Sequence, residues 1–121
     1  MTIVKGLILC FATFLTTNMF AQQASLAGKY NTLADKSWII GNPCIEIEGQ
    51  PDADVVRFHV SFSGIEMYEG PYLKQDSCLN EKAIQMIYRL SIGRKIYFED
   101  IVAYDAMGIP LRVPGFYIQL E

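Results

Sequence analysis

The chain holds one histidine, so any acid–base or nucleophilic chemistry has to start from it. His59 lies between Arg57 and Ser61 in the run Val55 to Ser63. A nucleophile–His–acid arrangement needs a hydroxyl or thiol within hydrogen-bonding reach of the imidazole. Ser61 shares the strand face of His59, but two residues along a strand span about 7 Å, too far for that bond. His59 therefore reads as a surface histidine. Glu99 and Asp100 are adjacent, and regular pleating sends neighbours to opposite faces, which makes them a poor acid–base pair unless a bulge brings them together. Asp52 and Asp54 share a face and could touch a calcium ion, yet the Gly and distal Glu of a calcium loop are missing. There is no P-loop, no G-x-G-x-x-G and no H-E-x-x-H. The expectation is a protein with no catalytic residue, no cofactor and no metal, and not an enzyme.

The tyrosines point elsewhere. Tyr68, Tyr72, Tyr97, Tyr104 and Tyr117 fall at strand ends or on non-core faces. Tyrosine is enriched at protein interfaces because it offers contact area together with a hydroxyl. The competing reading is that these rings only cover the edges of the core.

The elements that position these groups follow from hydrophobic periodicity. Val55 to Ser63 alternates strictly, with Val56, Phe58, Val60 and Phe62 on one face and Arg57, His59, Ser61 and Ser63 on the other, as in a half-buried antiparallel strand. Ile65 to Glu69 extends the sheet after a bend at Gly64, and Gly70-Pro71 breaks it. Residues 79–91 switch to a helical period, with Ala83, Ile84, Ile87, Tyr88 and Ser91 on one stripe. Ser77 or Asn80 caps the start, Glu81 and Arg89 suit the dipole, and Gly93 fits a left-handed stop. In Ile96 to Tyr104, Ile96 and Phe98 face one way while Tyr97, Glu99 and Ile101 face the other. Val102 shares the Phe98 face, and so does Asp100; a bulge near Glu99-Asp100 resolves the conflict. Phe116, Ile118 and Leu120 alternate with Tyr117 and Gln119 in a last strand. Cys44-Ile45-Glu46-Ile47-Glu48 alternates too, with Cys44 opposite the isoleucines. Ser37 to Ile40 is a short apolar run, and Gln22 to Lys36 reads as a loose lead-in. The fold expected is α+β, mostly β: an antiparallel sheet or β-sandwich-like domain with one packed amphipathic helix.

Composition sets the compartment. Of 121 residues, the first 21 read as a secretory signal peptide, with Lys5, an apolar stretch from Gly6 to Leu15 and polar Thr16-Thr17-Asn18. A cut after Ala21 leaves residues 22–121 as one domain; a cut after Ala27 is the alternative. The apolar core is about half of the roughly 20 residues a membrane span requires. Cys10 sits inside that core, so it is not the lipidated first residue of a lipoprotein. The net charge is −3, and −4 without Lys5, which gives no reason to expect nucleic acid or an anionic membrane as partner. Cys44 and Cys78 remain after cleavage and read as a disulfide in an oxidising compartment, since they lack C-x-x-C spacing and a nearby His. Closing that loop is worth roughly 3–4 kcal/mol of chain entropy.

The run Arg94-Lys-Ile-Tyr-Phe-Glu-Asp-Ile101, the Asp105–Gly108 turn and Arg112-Val-Pro-Gly-Phe-Tyr-Ile118 resemble the C-terminal domain of the gliding-motility protein GldM. Phe58-His-Val-Ser-Phe-Ser63 and the helix ending at Ile92-Gly93 fall in the same order, so the resemblance covers about residues 55–121. It implies a periplasmic, β-rich protein-binding domain related to parts of the type IX secretion system, with no catalytic residue to carry over. Two features depart from that family: residues 22–50 do not match its Gly-rich entry segment, and its full-length members carry a membrane helix and further periplasmic domains.

The function expected is an exported adaptor or accessory module that binds another cell-envelope protein through a face holding Tyr97, Glu99 and Tyr117. The alternatives are a small secreted hydrolase or enzyme inhibitor, the latter using a loop such as Asp105–Pro114, and a small-ligand-binding protein with its site between sheet and helix.

Overall fold

The computed structural model describes residues 21–63 and 72–121. Residues 1–20, where a signal peptide is expected, Tyr68 and the extension expected at Ile65 to Glu69 lie outside the described residues. Ten elements follow in order: β1 Ala24–Leu26, β2 Thr32–Ala34, α1 Lys36–Gly41, β3 Ile45–Ile47, β4 Asp54–Phe62, β5 Leu73–Gln75, α2 Glu81–Arg89, β6 Lys95–Tyr104, β7 Pro110–Leu111 and β8 Phe116–Leu120. The architecture is α+β and mostly β. A six-stranded sheet runs in the order β2-β8-β6-β4-β5, with β7 paired to β6, and β1-β3 form a separate ribbon. Only the β2–β8 pair in that sheet is parallel. Among the described residues no helix is long and apolar enough to cross a membrane.

One face of the sheet packs into the core. Phe58, Phe98 and Phe116 come from three adjacent strands, with ring centroids 5.9 Å apart for Phe58–Phe98 and 4.6 Å for Phe98–Phe116. Ile39 of α1 and Ala83 and Ile87 of α2 join the same cluster, as do Ala24, Leu26, Ile45 and Ile47 of the ribbon. Helix α2 starts where Asn80 accepts a hydrogen bond from the Ala83 amide at 3.0 Å, so Asn80, not Ser77, is its cap. Just before it, the Cys44–Cys78 disulfide joins the approach to β3 with the approach to α2, flanked by backbone bonds Ile45 N to Ser77 O at 3.0 Å and Leu79 N to Pro43 O at 2.9 Å. A disulfide fits an oxidising compartment.

Several sequence expectations are corrected. Residues 22–36 are not a loose lead-in: they supply β1 and β2, and Ala24, Ser25, Leu26 and Ala34 are fully buried. The Ser37–Ile40 run is part of a second helix, which forms because Asp35 caps it through a 2.8 Å bond from the Trp38 amide. Tyr88 is exposed on α2 because the buried stripe is narrower than expected, at Ala83 and Ile87, and Leu90 beyond the helix closes the core instead. Gly93 has a positive φ of 95°, but α2 has already ended at Arg89, and Gly93 serves the turn into β6.

The largest correction concerns β4 and β6. Their pairing shifts between Val55 and Arg57 and again between Arg57 and His59. On β6 the extra residue lies between Glu99 and Val102, where Asp100 has φ 50°. On β4 the extra residue is Val56, which is exposed while Val55 takes the buried position. The β6 bulge is where the pattern demanded one, and it keeps the Asp100 carboxylate off the core face. After it the alternation is reset, so Ile101 and Ala103 are buried and Val102 is not. The β4 bulge then restores the alignment of Asp54 with Tyr104.

Candidate functional site

The sheet's other face is lined by the residues that chemistry or recognition could use. Strand pairing sets them in rows. Ser61, Tyr97 and Tyr117 lie side by side across β4, β6 and β8. The next row is Lys74, His59 and Glu99 across β5, β4 and β6. Cross-strand neighbours on one face are about 5 Å apart, so each row is a set of neighbouring positions on that face. All three residues expected to form a binding face, Tyr97, Glu99 and Tyr117, are on it. Tyr97 and Tyr117 are half-buried and Glu99 is exposed. Lys95 holds its ammonium 4.6 Å from the Tyr117 ring centroid, which fixes that ring. Tyr104 is half-buried near the far end of β6, opposite Asp54 and Pro110.

The bulge at Asp100 adds a group that the pattern alone did not assemble. Because Asp100 is turned by its positive φ, both it and Glu99 project outward. The Asp100 carboxylate accepts a hydrogen bond from the Tyr72 hydroxyl. That bond, to an anion that phenolate formation would repel, pushes the Tyr72 hydroxyl up to about 12. The Tyr72 ring stacks on His59, with centroids 4.3 Å apart and planes within 5°. His59 Nδ1 lies 3.6 Å from Asp100 Oδ2, beyond a hydrogen bond, and is buried without a hydrogen-bond partner among the described residues. The signal for this cluster was present in the sequence as the Glu99-Asp100 conflict. Pairing it with Tyr72 required the β4–β5 register, which no local pattern carries.

The chemistry this arrangement can perform is limited. The Ser61 hydroxyl donates to Glu99 Oε1 at 3.5 Å and not to His59. His59 and Asp100 thus supply an imidazole and an acid with no nucleophile on the imidazole among the described residues. Asp52 and Asp54 are exposed, and no group of three His, Cys, Asp or Glu that could hold a metal occurs among the described residues. A groove of about 350 Å³ lies along β3 and the turn after it, lined by residues such as Glu46, Glu48, Gln50 and Pro51, and not between the sheet and α2. The Asp105–Ile109 loop is held by its own backbone and by Asp105 Oδ1, which accepts from the Met107 and Ile109 amides at 2.9 Å each.

Sequence reasoning missed two buried polar residues. Gln75 is 1% exposed and accepts from the Asn80 amide at 2.6 Å, tying β5 to the start of α2. Ser25 is fully buried and donates to Glu48 at 2.6 Å. Both are structural. No protein-family model matches the chain, and no curated protein matches it.

Proposed function

We propose that this protein is an exported, non-catalytic protein-binding module whose recognition surface is the outer sheet face at Tyr97, Glu99 and Tyr117. The observation that carries the reading is the row Ser61–Tyr97–Tyr117, flanked by Glu99 and by the Tyr72–His59 stack. These rings stand on regular, paired strands, so little side-chain entropy remains to be lost on contact. Aromatic groups with hydroxyls and one exposed carboxylate suit a protein surface better than a reaction. The bond from Ser61 to Glu99 supports the non-catalytic reading, because it engages the hydroxyl that shares the strand face of His59 away from the imidazole.

The resemblance of residues 55–121 to the GldM C-terminal domain supports a partner in the cell envelope, in the periplasm and associated with type IX secretion. The disulfide and the leader-like first 21 residues support export. The test is capture of envelope proteins by the tagged chain and by a Tyr97→Ala/Glu99→Ala/Tyr117→Ala variant. Loss of one defined partner with the fold retained supports the reading. Retained capture, or a variant that unfolds because these side chains are core, contradicts it. An activity on a substrate that His59→Ala removes would replace the adaptor by the hydrolase.

A further inference from the structure

Residues 22–26 are tied into the fold one after another. Gln22 N donates to the Arg112 carbonyl at 2.7 Å, and the Gln22 side-chain oxygen accepts from Gln50 Nε2 at 2.9 Å. The Gln23 carbonyl accepts from the Glu48 amide at 2.8 Å. Strand β1 then pairs with β3 in the register Ala24↔Ile47, Ser25↔Glu46 and Leu26↔Ile45. Ala24, Ser25 and Leu26 are each 0% exposed. The Ser25 hydroxyl donates to Glu48 and accepts from the Gly28 amide at 3.1 Å. Leu26 and Lys29 exchange both backbone bonds at 2.9 Å each. Ala21, by contrast, is exposed and lies outside β1.

Given the exported reading proposed above, these contacts bear on where the leader is removed. A signal peptidase reads small side chains at the first and third positions before the cut. On that rule Ser25 and Ala27 suit it better than Met19 and Ala21, and the product would begin at Gly28. That product lacks β1. It loses Ala24 and Leu26 from the core and uncovers Ile45 and Ile47, their partners across the ribbon. Removing one buried leucine side chain is already among the costlier core changes. The backbone groups of β3 that face β1 lose their partners as well. The peptidase meets the chain before it folds, so the structure decides which product can reach this fold, not which bond is open to attack. A cut between Ala21 and Gln22 keeps every contact described above, because an α-amine at Gln22 still has N–H groups to donate to Arg112. A cut after Gln22 already removes the bonds to Arg112 and Gln50. We propose that the leader is removed between Ala21 and Gln22, and that Gln22 is the docked first residue of the exported protein. The fold thus reverses the preference that the small-residue rule gives on its own.

The test is N-terminal sequencing and intact mass of the chain, tagged at its C-terminus and recovered from the native host. Wild type is compared with Ala27→Asn. Asparagine at 27 is too large and polar for the residue before a cut, and it suits the left-handed φ of 44° at that position. The expected result is Gln22 as first residue in both. A wild type that starts at Gly28, or at any residue other than Gln22, overturns the assignment and leaves export standing. Recovery of the uncut chain alone overturns the exported reading with it, so the two failures are told apart. Thermal melting of the processed protein checks the role of β1 separately. Leu26→Ala should lower the melting temperature by about 8 °C or more. An unchanged melting temperature would show that β1 is dispensable and would overturn the proposal.

Discussion

At the residue scale, the features that matter most are two positions where strand alternation breaks. Asp100 sits at φ 50°, a conformation that costs an ordinary L-residue about 1–2 kcal/mol and is worst for β-branched side chains. Asp100→Val is expected to destabilise by at least about 1 kcal/mol, whereas Asp100→Gly loses only the Tyr72 contact; urea unfolding distinguishes them. The Tyr72 hydroxyl gives a direct reading of that contact. Its value, raised from 10.0 to about 12, means that the folded state holds the proton more tightly than the unfolded state. The stabilisation from this group is thus complete below about pH 10 and is lost as pH rises through about 12. In a near-ultraviolet titration, Asp100→Asn should bring one tyrosine back toward its ordinary value; an unchanged curve would mean that the pair does not form. The Glu99-Asp100 conflict made the β6 bulge legible in the sequence. The compensating bulge at Val56 was not, because Val56 and Val55 are both apolar and either could fill the core position.

At the scale of elements, the junction before α2 carries several constraints at once: the disulfide, the Asn80 cap and the buried Gln75 that accepts from the Asn80 amide. The half-cystines are 34 residues apart, so replacing both by serine is expected to cost roughly 3–4 kcal/mol in denaturant unfolding. Asn80→Ala should cost about 1 kcal/mol by the same measurement. A tighter constraint lies between β6 and β8. A Cβ on Gly115 would stand 2.7 Å from the Phe98 carbonyl oxygen, a backbone atom that cannot move aside without disturbing the pairing. Gly115→Ala should therefore lower the melting temperature, and a neutral effect would show that the strands can separate there. The long strands, the disulfide and α2 were readable because each has a strong local signature: strict alternation, an even cysteine pair or a capped amphipathic stripe. The three-residue strands β1, β2 and β5 were not. They are too short for a period, and pairing partners such as Ile47 or Leu120 hold them in place.

At the scale of the whole molecule, one hydrophobic core backs a mixed sheet, and the sheet's other face carries the aromatic rows. The residues Tyr97, Glu99 and Tyr117 could be placed on one face from their odd spacing in two strands, but their adjacency follows only from the β6–β8 register. Replacing Tyr97, Glu99 and Tyr117 together should cost stability only about as much as ordinary half-exposed substitutions, near 1 kcal/mol for each tyrosine. The most direct test of the protein-binding face is site-specific photo-crosslinking in the native host, with a reactive side chain at Tyr97 or Tyr117 and, as a control, at Glu46 on the ribbon. The account predicts that both face positions trap the same envelope protein and that Glu46 does not. Trapping from Glu46 alone, or no adduct from either tyrosine position in a folded protein, would contradict it.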